Sequence, residues 1–183
     1  GGRPELPTGD CGGVLGSRAL FRHHPTLPDG GRAEITRGVL SLPMPPPDRS
    51  VARCRRHETY ELRLGSAWTQ VRADGGGAGV LVEVAGAWEQ FDHVILGTGF
   101  RVDLAAVPWL ADVAADVVTW GDRLGLTPSD ATVDGRLARY PYLDAGLACQ
   151  GRTERSQHHL RHLFMLDAAA LASAGTSAGG INA

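Results

Sequence analysis

Three stretches of the chain hold residue types that chemistry uses. Gly97-Thr98-Gly99-Phe100-Arg101-Val102 puts G-x-G-x-x directly after the apolar run Phe91 to Leu96. That is where a dinucleotide fingerprint sits, because missing side chains let a pyrophosphate approach the backbone at a helix start. Val102 stands where the third Gly belongs, Pro108 shortens any following helix, and Asp122 is the acid at the spacing of a ribose contact. A glycine turn that lets the chain leave a crowded sheet accounts for the same residues. The second stretch is Ser173-Ala174-Gly175-Thr176-Ser177-Ala178-Gly179-Gly180. A helix starting near Thr176 would offer free amides and a positive dipole end to an anion, whereas a flexible Gly/Ser/Ala tail has the same composition. The third is His158, His159 and His162. His158 and His162 share a helix face at i, i+4, but zinc takes three or four ligands and His159 stands where H-E-x-x-H needs its Glu. Surface or cofactor-facing histidines are the better reading, and no metal site is expected.

Other chemistries lack their residues. Cys11, Cys54 and Cys149 are far apart and form no C-x-x-C pair. Cys149 has no local group that would favour its thiolate. All 18 basic residues are Arg, so there is no Walker lysine and no Schiff-base lysine. G-x-S-x-G is absent, which leaves Ser173 and Ser177 as weak candidates for a small hydrolase. Net charge is −2, and Arg53-Cys54-Arg55-Arg56-His57 is a local basic exception too small to predict a nucleic-acid partner. No apolar run approaches the roughly 20 residues that cross a bilayer. The first residues lack the basic start and apolar stretch of a signal peptide, so the cytoplasm is the expected compartment, and the chain is expected to begin inside a longer protein.

With 183 residues, 43% apolar and 21% charged, the chain has the composition of a folded domain or two small ones. Proline and glycine are dense in residues 1–50, which predicts short turns only there, and Pro43-Met44-Pro45-Pro46-Pro47 predicts a stiff polyproline II connector. Alternation at Tyr60 to Leu64 and Trp68 to Arg72 predicts half-buried strands, with Val80 to Val84 returning after a turn over Asp74 to Gly79. Phe91 to Leu96 reads as a buried, central, parallel strand. Leu104, Val107, Leu110 and Val113 have helical spacing interrupted by Pro108. Residues 121–134 read as a turn-rich excursion, and Leu137 to Leu143 as an edge strand. Leu160 to Leu166 is open between strand and helix.

The segment Asp92-His93-Val94-Ile95-Leu96-Gly97-Thr98-Gly99-Phe100 resembles the D-x-hydrophobic-A/G-T-G-Y/F signature of flavin-dependent monooxygenases with two dinucleotide-binding domains. In the same order, Tyr140-Pro141-Tyr142-Leu143, His162-Leu163-Phe164 and Ser173 to Ile181 resemble the closing segments of the FAD domain in flavin-containing monooxygenases and N-hydroxylases. The resemblance runs from Tyr60 to Ala183. It implies an α/β fold, the C-terminal part of a two-dinucleotide-binding-domain (Rossmann-like) flavoprotein with a β-hairpin-rich first half. Residues 1–90 would be the end of the NAD(P)H-binding domain with its connector, and residues 91–183 the C-terminal part of the FAD-binding domain. Gly97, Thr98, Gly99, Gly175, Thr176, Ser177 and Gly179 would then contact cofactor. The implied activity is an FAD- and NAD(P)H-dependent oxidoreductase that inserts one atom of O2 into a small-molecule substrate, a reaction in which the cofactor does the chemistry. Both Gly-rich fingerprints of the family are missing, so the implied partner is an N-terminal half of the same enzyme. Ala174 and Met165 stand where relatives often have His and Asn. A non-catalytic remnant or interaction domain, using the proline-rich segment and exposed sheet edges, is the alternative.

Overall fold

The computed structural model describes residues 23–42, 46–76 and 79–175. In chain order the elements are a 3-10 turn at His24–Thr26, α1 (Asp29–Ser41), α2 (Asp48–Cys54), β1 (Trp68–Ala73), β2 (Val80–Val84) and β3 (Ala87–Phe91). They continue with 3-10 Leu104–Ala106, α3 (Ala111–Ala114), α4 (Trp120–Leu124), α5 (Val133–Ala138), α6 (Glu154–Leu160), 3-10 Ala168–Ala170 and α7 (Leu171–Ala174). The fold is mixed α/β with one three-stranded antiparallel sheet, order β1-β2-β3. No parallel pairing occurs among the described residues.

Two compact units divide the chain. The first holds described residues 46–76 and 79–100; the second holds 23–42 and 101–175. The chain thus changes unit after Phe100, ten residues beyond the 90/91 division read from sequence.

In the first unit strands form at Trp68 to Arg72 and at Val80 to Val84, where the alternation and the glycine turn place them, paired Val71↔Val82 with a bulge between Trp68 and Gln70, but the half-buried face expected of the first strand is absent. The Asp74 amide donates to the Gly79 carbonyl at 3.1 Å; Gly77 and Ala78, inside that turn, lie outside the described residues. β2 and β3 are joined by Ala85 (φ 51) and Gly86 (φ 84). Positive φ at both central residues is the type I′ hairpin, whose twist matches that of the strands it joins. Val82 and Val84 are buried on the middle strand, while β1 is exposed along its whole length.

Two strand expectations fail here. Tyr60 to Leu64 alternates but meets no strand edge; Arg63 instead bridges Glu61 and Glu89. Phe91 to Leu96 is not a buried central strand. β3 ends at Phe91, and Ile95 and Leu96 are 92% and 70% exposed. An apolar run becomes a buried strand only when a neighbouring backbone takes up its N–H and C=O groups and a layer covers each face. Neither lies against residues 92–96 among the described residues of this unit.

In the second unit α1 overturns the expectation of short turns before residue 50. Glycines 30, 31 and 38 weaken a helix by about 1 kcal/mol each relative to Ala. Packing offsets this: Arg32, Ala33 and Thr36 are buried, and α1 lies on α5 and α7. The Arg136 guanidinium donates to the Leu40 carbonyl at 2.8 Å, and Arg37 pairs with Asp134. Residues 43–45 of the proline run lie outside the described residues. The helical spacing after Asp103 resolves into one 3-10 turn and α3, separated by Pro108. The excursion at 121–134 contains most of α4 and the start of α5, each capped by a threonine, Thr119 and Thr132. Leu137 to Leu143 is no edge strand. Its first residues end α5, and then Pro141 and Leu143 make isolated bridges to Thr119 and Cys149. Leu160 ends α6. The core centres on Leu110, Val117, Leu143, Cys149 and Leu160, and on Trp120, Leu137, Tyr140 and Ala172.

Candidate cofactor site

Gly97, Thr98 and Gly99 lie at the end of the first unit, exposed and without regular structure. Gly99 has φ 82, and a Cβ on either glycine would meet nothing within 4 Å. No strand immediately precedes them and no helix begins at them, so the geometry of a primary pyrophosphate fingerprint is not formed. Their amides have no hydrogen-bond partner among the described residues. Gly175 belongs to the second unit and closes α7: its amide donates to the Leu171 carbonyl at 2.8 Å. With φ 79, and with a Cβ that would stand 3.1 Å from Cγ of His24, the position takes only glycine comfortably. Thr176, Ser177 and Gly179 lie outside the described residues.

Beneath Gly175 is a polar core that sequence reasoning did not assemble. Ser173 is buried; its hydroxyl accepts from Trp120 Nε1 at 3.1 Å and from the Leu143 amide at 3.0 Å, and donates to the Pro141 carbonyl at 3.3 Å. Such a hydroxyl has no capacity left for nucleophilic work, which argues against Ser173 as a hydrolase nucleophile. His24 is 1% exposed, and neither ring nitrogen has a hydrogen-bond partner among the described residues. Burial, helped by the nearby Arg32 charge, holds its imidazole below the usual 6.5.

Asp29, at the start of α1, accepts from Arg32 at 2.5 Å, Arg123 at 2.8 Å and the Tyr142 hydroxyl at 2.9 Å. Partial burial opposes ionisation of Asp29, but the hydrogen bonds from Arg123, Arg32 and Tyr142 outweigh it and keep the carboxyl below 3.8. The Arg32 guanidinium lies over Trp120 and Tyr142, 5.1 and 5.3 Å from their ring centres. The one local signal for this network was the i, i+3 pair Asp29/Arg32; Trp120 and Tyr142 lie far along the chain.

A groove of about 650 Å3 opens elsewhere on the second unit, with Val102, Leu104 and Leu126 on its apolar wall and Thr119, Asp122 and Arg152 among its polar groups. Its size falls in the range of small-molecule sites. Asp122, the acid spaced for a ribose, is committed to structure: it closes a capping box with Thr119 and pairs with Arg152 at 2.6 Å. Desolvation opposes its ionisation, and Arg152 and Thr119 more than compensate, so its pKa is lowered.

The remaining candidates are dispersed. His158 and His159 sit exposed on α6 with rings edge to face, and His162 Nε2 accepts from Arg161. Among the described residues no group of three His, Cys, Asp or Glu is placed to hold a metal. Cys149 is buried, and burial with the Asp144 charge pushes its thiol up to about 11, which makes it inert. No described helix is long and apolar enough to cross a membrane. Compared with family models, curated proteins and solved structures, the chain matches none.

Proposed function

We propose that this chain is the C-terminal part of an FAD- and NAD(P)H-dependent monooxygenase acting on a small-molecule substrate in the cytoplasm. The observation that carries the reading is where the chain changes unit. It is in the second unit over residues 23–42, builds the first unit, and returns to the second at Arg101, directly after Gly97-Thr98-Gly99-Phe100. In the resembled family the segment matching Phe91 to Phe100 is the strand that crosses back from the NAD(P)H domain to the FAD domain. One unit interrupting another is the topology that such a crossover requires. The exposed apolar run at Ile95 and Leu96 fits the same reading, in which residues 92–96 add to a Rossmann-like sheet whose other strands belong to the N-terminal half of the enzyme.

The residues fit the flavin in one respect. The amides of residues 97–99 are uncommitted among the described residues, and no side chain covers the two glycines. When bound, FAD supplies the redox chemistry, carrying electrons from NAD(P)H to O2. Gly97, Thr98 and Gly99 would hold it by backbone donors, and Gly175 would fix the direction in which the chain leaves α7 toward Thr176, Ser177 and Gly179. His24 and Ser173 are buried beside that turn of the chain. The test is the flavin content of protein made from the intact reading frame that contains this chain. Equimolar FAD supports the proposal, and flavin-free protein overturns it. The alternative, a non-catalytic interaction domain, is favoured by one observation: the edge strand β1 is exposed at all six positions, leaving its outer edge open to strand addition.

A further inference from the structure

A second constellation lies on α2, in the first unit. Ser50, Arg53, Cys54 and His57 recur at i, i+3, i+4 and i+7, so α2 and the turn after it present them together. They line one cleft of about 230 Å3. Val51 anchors the helix on its buried side, while the four lining residues are exposed. Each lining side chain can donate a hydrogen bond: a hydroxyl, a guanidinium, a thiol and an imidazole. No carboxylate lines the cleft.

Of the described arginines outside α2 and the turn after it, seven pair with a carboxylate, Arg72 lies over Trp88, Arg136 and Arg161 donate to the Leu40 carbonyl and to His162, and Arg155 alone lacks a partner. Arg63 meets Glu61 and Glu89, Arg101 meets Asp103 and Asp130, Arg123 meets Asp29, and Arg152 meets Asp122. Arg49, Arg53, Arg55 and Arg56 lie within eight residues, and their side chains make no ion pair or hydrogen bond among the described residues. Like charges so close repel one another, and a bound anion relieves the repulsion. Three of the last four carbonyls of α2, the groups there that repel an anion, are occupied. Val51 accepts from the Arg55 amide at 3.0 Å, Arg53 from Arg56 at 3.2 Å and Cys54 from His57 at 3.0 Å.

We propose that this cleft binds a phosphate group, either free or as the monoester of a small molecule, with Arg53 and His57 as principal donors. A guanidinium fork matches two phosphate oxygens, and the volume, below that of a typical drug-sized site, suits a phosphate with a small substituent. The site is independent of the flavin reading.

The test is an NMR titration of the whole chain, following the His57 ring and the Arg53 side chain, with inorganic phosphate, glycerol phosphate, and sodium chloride at matched ionic strength. The expected result is a saturable shift with half-saturation of the order of 1 mM, about tenfold weaker in Arg53→Gln. Equal response to both phosphates identifies the free group as the ligand; tighter binding of the ester shows that the cleft also covers the substituent. Ser50→Ala, a smaller change on the same face, weakens binding less and keeps the test informative if Arg53→Gln disturbs the helix. Identical shifts with sodium chloride, or unchanged phosphate binding in both variants, would overturn the proposal.

Discussion

Ser173 spends its whole hydroxyl inside the second unit, tying Trp120, Pro141 and Leu143 to α7. Replacing it with Ala leaves two buried donors, Trp120 Nε1 and the Leu143 amide, without a partner. At about 1–3 kcal/mol for each orphaned group, Ser173→Ala should destabilise this unit by about 2–6 kcal/mol. Urea denaturation followed by Trp fluorescence measures it; wild-type stability would show that water or another group takes over. His24 gives a pH signature. Its folded pKa lies below 6.5, so the unfolded chain binds more protons as the solution acidifies. Stability from this residue is therefore complete above about pH 6.5 and is lost as pH falls through the lower folded value. Asp29 acts in a separate window, its contribution lost only as pH falls below 3.8. In His24→Leu the loss of stability in the upper window should disappear, whereas an unchanged slope would assign it elsewhere. Neither role could be read from sequence. The partners of Ser173 lie 30 to 53 residues away, and a histidine beside Pro25 gives no local hint that Gly175 will close over it.

At the scale of elements, legibility followed the range of the interactions that decide each one. β1 and β2 were readable because alternation and a glycine turn are local properties. β3 was missed because Ala87-Trp88-Glu89-Gln90-Phe91 lacks clean alternation, and its strand exists through pairing with β2. The turn that enforces this pairing has a non-glycine residue, Ala85, at φ 51. A left-handed Ala costs roughly 1 kcal/mol, and Asn is the residue most at home before Gly in a type I′ turn. Ala85→Asn should therefore raise the stability of the first unit by about 0.5–1 kcal/mol, seen as a higher midpoint for the unfolding of the sheet; a lower midpoint would mean that the turn is of another type. α1 was missed for the opposite reason. Its glycines argue against a helix locally, and the buried stripe Arg32, Ala33, Thr36 becomes decisive only when α5 and α7 lie against it. The run Val94 to Leu96 reads as a buried strand from its own residues, yet Ile95 and Leu96 lie exposed because strand formation depends on a neighbour that the described residues of its unit do not supply.

For the whole molecule, composition indicated only a folded chain of one or two domains; the strand signals and the resemblance pointed to the mixed α/β class that is observed, and the interruption of one unit by the other was not legible. The resemblance divides the chain at 90/91, with Phe91 to Phe100 as the crossing strand, and the chain changes unit after Phe100. The cofactor candidates are split by that change: Gly97, Thr98 and Gly99 in one unit, Gly175 in the other. The most direct test of this account is the ratio of FAD to protein in the intact gene product, determined after denaturation releases the flavin. The account predicts equimolar FAD. Protein that is folded, colourless and unable to take up added FAD would contradict it.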